Sequence, residues 1–135
     1  MKVSKGVEAL VQEALLEVTT VSSAEVKIKQ ATSGVILVDL RDIRELQREG
    51  RIPGSLHIPR GMLEFWVDPE SPYYKPVFDE AGEIVLYCNK GWRSALAAQS
   101  LQSMGMSSVS HLDGGMTQWI LDGGEIEPLP PKPQK

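Results

Sequence analysis

Glu83-Ile84-Val85-Leu86-Tyr87-Cys88-Asn89-Lys90-Gly91-Trp92-Arg93-Ser94 is the stretch whose reading decides the fold. Its opening apolar run, β-branched at two positions, reads as a short buried strand. The chain's one cysteine stands at the carboxyl end of that strand. A polar loop with a single glycine follows, and Arg93-Ser94 opens an apolar pattern of helical period through Leu96, Ala97, Leu101 and Met104. The sulfur therefore falls at a strand-to-helix turn, where unpaired backbone N–H groups and the positive end of the helix dipole converge. Lys90 and Arg93 add formal positive charge beside it. Each effect favours thiolate over thiol, and the thiolate is the nucleophile. This turn is the candidate active site.

Upstream, Val35-Ile36-Leu37-Val38-Asp39 is a second continuous apolar strand, of the kind found in a parallel sheet covered on both faces. Asp42 and Glu45 form a cap-like pair opening a short helix to about Glu49. The turn Gly50-Arg51-Ile52-Pro53-Gly54-Ser55 leads to a short strand, Leu56-His57-Ile58, stopped by Pro59. Residues 61–81 read as a helical turn followed by a long irregular excursion, a length that suits a functional loop or a cover for the core. Nearer the amino terminus, Val7, Leu10, Val11, Ala14, Leu15 and Val18 recur at helical spacing. Thr19-Thr20-Val21 reads as a short edge strand, and Ser22 with Glu25 as a capping box for a second helix. Downstream, Gly105 stops the helix after Cys88, and Val109-Ser110-His111-Leu112 is the last strand. A helix then carries Met116, Trp119 and Ile120 on one face, ended by Gly123-Gly124.

Strands alternating with helices predict an α/β domain with a mainly parallel sheet, whose ligands bind beyond the carboxyl ends of the strands. The reading divides the chain into an amphipathic helix at 1–18, the domain proper at 19–124 and a proline-rich tail at 125–135. A length of 135 residues suits one domain. A net charge of −4 argues against nucleic acid or an anionic membrane as the main partner. With no apolar run of membrane-spanning length and no signal-peptide core, the expected compartment is the cytoplasm. One cysteine excludes an internal disulfide and a Cys-x-x-Cys redox pair; two histidines make a metal site an unfavoured reading.

Among the marked residues, a cation at a helix N-terminus opposes the dipole, so Arg93 needs a reason to be there, and binding an anion is one. Lys90 is either an anion attractor or a plain surface charge. Trp92 is read as an apolar wall of the pocket in preference to a cap on the core. Asp39 is either a helix-capping acid or a brace for the active loop. His57 and His111 are read as structural histidines, and Met116 and Trp119 as core.

Four segments, taken in order, resemble the single-domain rhodanese family of sulfurtransferases: Val38-Asp39-Leu40-Arg41; Ile52-Pro53-Gly54-Ser55 continuing to His57-Ile58-Pro59; Tyr87-Cys88 through Arg93-Ser94; and Leu112-Asp113-Gly114-Gly115-Met116 continuing to Trp119. The resemblance spans about residues 19–124. It implies a rhodanese-like three-layer α/β fold, with a mostly parallel five-stranded sheet and helices on both faces. It also implies that Cys88 is the nucleophile and carries sulfur as a persulfide, cradled by backbone N–H groups of Asn89, Lys90, Gly91, Trp92, Arg93 and Ser94. Asp39 and Arg41 are expected as supporting residues. The chain departs from many relatives at Arg51, where they have histidine, and in a longer, more aromatic excursion over 65–78.

The implied chemistry is transfer of a sulfane sulfur from a small anionic donor such as thiosulfate to a thiol, protein or cyanide acceptor, with no metal and no organic cofactor. Two alternatives stand beside it. A persulfide carrier or partner-binding module would have little turnover of its own. A cysteine-dependent phosphatase or arsenate reductase on the same fold needs Cys-x5-Arg, whereas Cys88 and Arg93 have four residues between them. Oligomeric state is not written in the sequence.

Overall fold

The computed structural model describes residues 1–130. Five parallel strands form its sheet: β1 (Thr19–Val21), β2 (Val35–Asp39), β3 (Leu56–His57), β4 (Glu83–Tyr87) and β5 (Val109–Leu112), in the order β1-β5-β4-β2-β3. Six helices accompany them: α1 (Val7–Glu17), α2 (Ser23–Gln30), α3 (Ile43–Glu49), α4 (Leu63–Val67), α5 (Trp92–Ser103) and α6 (Gly115–Leu121). The expected capping boxes are both present, Ser22 with Glu25 at α2 and Asp42 with Glu45 at α3. Each satisfies two backbone N–H groups that a helix start leaves free.

Alternation along the strands sorts the core into two layers. Val38, Ile84, Leu86 and Val109 pack with Leu63, Ala97, Ala98 and Leu101 of α4 and α5. On the opposite face Leu37, Val85, Tyr87 and Leu112 pack with Val26 of α2 and with Met116 and Trp119 of α6. Both faces of β4 are thereby covered, which explains its unbroken apolar run. Helix α1 forms an outer layer, setting Val11 and Ala14 against Ala95 of α5.

The sheet order places the site. After β2 the chain turns toward β3, whereas after β4 it turns toward β5. The two connections diverge, opening a crevice at the carboxyl ends of β2 and β4, where open α/β sheets hold their ligands. Cys88 is the first residue beyond β4.

Some expectations are corrected. Helix α5 begins at Trp92, one residue before the predicted start, and Met104 is its exposed cap rather than a core residue. Ile120 is exposed while Met116 and Trp119 are buried. In α1, Val7, Leu10 and Leu15 are also exposed, so only part of its apolar stripe meets the domain. The excursion over 61–81 contains α4 and two short 3-10 turns, at Arg60–Met62 and Pro76–Phe78. Residues 125–127, read as the start of the tail, are tied down: Arg51 and Glu127 exchange backbone hydrogen bonds, and Trp119 Nε1 donates to Glu125 O at 2.7 Å. Arg51 also meets the Glu127 carboxylate at 3.2 Å. The proline-rich reading of residues 131–135 lies outside the described residues.

Candidate active site

Cys88 sits at the floor of an open pocket of ≈ 440 Å³ lined by Cys88, Asn89, Lys90, Trp92 and Arg93. Only 1% of the cysteine is exposed. Its surroundings are nevertheless polar on one side. The Gly91 N–H donates to Sγ at 3.1 Å, and Ser94 Oγ lies 3.6 Å from the sulfur. Gly91 takes a left-handed φ of +96°, which turns its amide back toward the strand end and makes it the N-cap of α5.

The carbonyls of the turn are held on the outside. Tyr87 O accepts from Leu40 N at 2.9 Å, Cys88 O from Met116 N at 2.8 Å, Asn89 O from Thr117 N at 3.0 Å and Gly91 O from Ala95 N at 3.2 Å. Two of those donors belong to the first turn of α6, where N–H groups lack partners within the helix. Gly114 and Gly115, both at positive φ, bring that turn against the cysteine loop.

The expected site residues divide into those at the sulfur and those behind it. Asn89 is half-buried, Lys90 exposed, and Trp92 48% exposed as a wall of the pocket. Arg93 also lines the pocket, but its guanidinium forms a two-pronged pair with Glu45, at 2.7 and 3.1 Å. The cation expected to bind an anion thus has a resident carboxylate beside it, supplied by α3. The Arg93 hydrogen bonds hold the Glu45 carboxyl below its usual range, so the pair stays ionised to lower pH than a free carboxylate would.

Asp39 and Arg41 are fully buried and bond to each other, with Arg41 also donating to Gly50 O at 2.7 Å. Their bonds fix the end of β2 and the turn after α3, and do not reach the sulfur. Of the two readings of Asp39, the cap is excluded, since Asp42 caps α3. Bracing is indirect: Asp39 lies beside Tyr87 in the sheet register, one residue before the cysteine. His57 bonds to Arg41 O at 2.7 Å, the structural role expected of it.

Sequence reasoning passed over two site neighbours, Glu45 and His111. Glu45 was legible only as a cap partner. His111 is buried with Nδ1 at 2.9 Å from Ser94 Oγ. The available signal was alternation: His111 shares a face of β5 with Val109, toward α5 and its first inward polar residue, Ser94.

Burial keeps His111 neutral to lower pH than a free imidazole at 6.5. The unfolded chain thus binds a proton that the native chain refuses. Stability should begin to fall as pH drops below about 6.5, before Glu45 and Glu64 contribute below 4.5. Urea unfolding at about pH 7 and about pH 5.5 checks this: His111→Gln should flatten the decline, and an unchanged slope would contradict it.

Residues 22–122 match the family model described as the rhodanese-like domain. The chain belongs to the rhodanese-like family. Its relatives include the thiosulfate:glutathione sulfurtransferase of Saccharomyces cerevisiae, 34% identical over 67% of this chain and 68% of the relative. A human single-domain sulfurtransferase has the same fold, with a TM-score of 0.64 and 28% identity over 76% of this rhodanese-like chain and 95% of that one. A Rhodopseudomonas palustris CGA009 protein of unknown function, described as a "Possible Tyrosine Phosphatase", is 46% identical with a TM-score of 0.88, covering 94% of this chain and 98% of that one. Among the described residues, no helix is long and apolar enough to cross a membrane.

Proposed function

We propose that this rhodanese-like protein is a cytoplasmic sulfurtransferase that moves a sulfane sulfur from a donor such as thiosulfate to a thiol, protein or cyanide acceptor through a Cys88 persulfide. The observation that carries the proposal is the Gly91 N–H aimed at Cys88 Sγ from 3.1 Å, at the floor of a pocket open to solvent. In the first step the thiolate attacks the outer sulfur of the donor. A new S–S bond forms, the donor's S–S bond breaks, and sulfite leaves with the electron pair. In the second step the acceptor attacks the outer sulfur of the persulfide and Cys88 leaves as thiolate. The protein supplies a positioned nucleophile and a dipole-lined cradle, and the chemistry asks for no metal or organic cofactor.

Intact-mass measurement after incubation with thiosulfate tests this reading. One added sulfur atom, removable by a reductant and absent after cyanide, is expected; an unmodified chain would refute it.

The description of the R. palustris protein favours a second reading, a phosphatase. Four residues between Cys88 and Arg93 make a loop one short of the Cys-x5-Arg that surrounds a tetrahedral oxyanion, and Glu45 already occupies Arg93. Turnover of an aryl phosphate without turnover of thiosulfate would reverse the choice.

The Glu45–Arg93 pair makes a further prediction. It offsets the arginine's charge at the pocket rim, leaving Lys90 as the cation there without an ion-pair partner among the described residues. Glu45→Gln should release that charge and lower the thiosulfate KM about two- to fivefold with kcat little changed. Arg93→Ala should raise KM by a similar factor; equal KM values in all three proteins would remove the pair from donor recognition.

A further inference from the structure

Behind the sulfur, away from the pocket mouth, runs a line of polar groups that sulfur transfer as derived above does not use. Ser94 Oγ is 3.6 Å from Cys88 Sγ and 2.9 Å from His111 Nδ1. The other ring nitrogen, Nε2, is 3.0 Å from Thr20 Oγ1. Thr20 pairs with His111 in the β1–β5 register, so the two side chains share a face, and Thr20 is exposed on the edge strand. Ser94 and His111 are buried. Three groups thus connect a recessed thiol to solvent through the edge of the sheet.

We propose that Ser94, His111 and Thr20 form a proton wire that carries the Cys88 thiol proton out at the sheet edge, with His111 as the positioning residue that switches tautomer as the sulfur ionises. The proposal rests on the reading of Cys88 as the nucleophile. Its proton count closes. In the thiol state Sγ–H donates to Ser94 Oγ, Ser94 O–H to Nδ1, Nε2–H to Thr20 Oγ1, and the Thr20 O–H points to water. On ionisation each proton moves one place outward and the last leaves to water from Thr20. The chain then runs the other way, Thr20 O–H to Nε2, Nδ1–H to Ser94 Oγ, and Ser94 O–H to the thiolate. Three internal hydrogen bonds exist in both states, no bond other than O–H, N–H and S–H changes, and no redox partner is involved.

The imidazole stays neutral throughout, as its burial favours. The groups facing it are the uncharged Thr20 on β1 and Ser94 on α5, Cys88 beyond Ser94, and the Asp113 carboxylate in the turn after its own strand. The device separates two traffics. An anionic donor seated in the pocket closes the mouth over a sulfur that is 1% exposed. An exit at the back lets the thiol ionise with the donor in place.

The experiment follows both histidines by ¹⁵N NMR in the full chain while pH is raised, with the rate of Cys88 alkylation by iodoacetamide measured in parallel. The wire predicts that His111 passes from the Nε2–H to the Nδ1–H tautomer over the range in which alkylation accelerates, and that Cys88→Ser holds one tautomer. A histidine of purely structural role would keep one tautomer in both proteins, and that result would overturn the proposal. His111→Gln should slow alkylation at neutral pH about tenfold, because the partner that directs the Ser94 O–H toward the charged sulfur is lost. Thr20→Val, at an exposed position that tolerates β-branching, should slow it about threefold and keeps the test open if the buried variant fails to fold. Rates within experimental error of wild type in Thr20→Val would also overturn the proposal. Alkylation needs no sulfur donor: a tautomer switch without persulfide formation would sink the sulfurtransferase reading alone, and persulfide formation with a fixed tautomer would sink the wire alone.

Discussion

Cys88→Ser is expected to abolish persulfide formation and to lower thiosulfate–cyanide turnover by at least about a thousandfold. The substituted hydroxyl occupies nearly the same volume and keeps a partner in the Gly91 N–H, which reaches the present sulfur at 3.1 Å. It is not ionised near neutral pH and is a poor nucleophile without an adjacent base. Its pocket is built around a residue 1% exposed, so the exchange neither opens a cavity nor strands a donor. Thermal melts should therefore superimpose within a few degrees while intact-mass analysis shows no added sulfur. Persistent loading in this variant would remove Cys88 from the mechanism.

Gly115→Ala should be the most damaging single-methyl change near the site. A Cβ at this position would stand 2.4 Å from Cys88 O and 2.7 Å from Asn89 C, both backbone atoms that have no rotamer by which to retreat. The φ of +58° adds roughly 1–2 kcal/mol for any side chain in a left-handed conformation. Together these predict a loss of at least about 3 kcal/mol, in the tail of point-mutation effects. A chain of this size should then melt about 10 °C lower. The first turn of α6 must also back away from the loop, loosening the bonds from Met116 N and Thr117 N. Sulfur loading should fall with stability. A variant that melts like wild type would show that the two segments are less closely opposed than this structure has them.

The parts of the fold that were legible in the sequence are those governed by local chemistry. Ser22/Glu25 and Asp42/Glu45 declared their helices because a cap is decided within four residues. The 83–94 stretch declared its turn because an apolar run, a glycine and a helical period meet there. Helical period does not say what covers a face. Ile120 shares its spacing with Trp119, yet Trp119 lies against the sheet layer with Val26 and Met116 while Ile120 faces outward. The same limit explains the half-buried stripe of α1, whose packing against Ala95 depends on where α5 lies. Glu45 and His111 escaped for a different reason. The first meets Arg93 across 48 residues and the second meets Ser94 across 17, contacts created by the order β5-β4-β2. Strand order is a property of the whole sheet, and no window of sequence contains it.

The outward-held carbonyls of the cysteine turn bear on how the two half-reactions proposed above would share one set of walls. Tyr87 O, Cys88 O, Asn89 O and Gly91 O are each engaged by an amide from another segment or the next helical turn. Flipping any of these peptide planes would break the hydrogen bond that its carbonyl accepts. Were the sulfur to gain or lose a passenger atom as proposed, the surrounding dipoles would keep their orientation. If Cys88 carries sulfur as proposed, reorganisation is small in both directions, and the same fixed walls serve the taking up of the atom and its release.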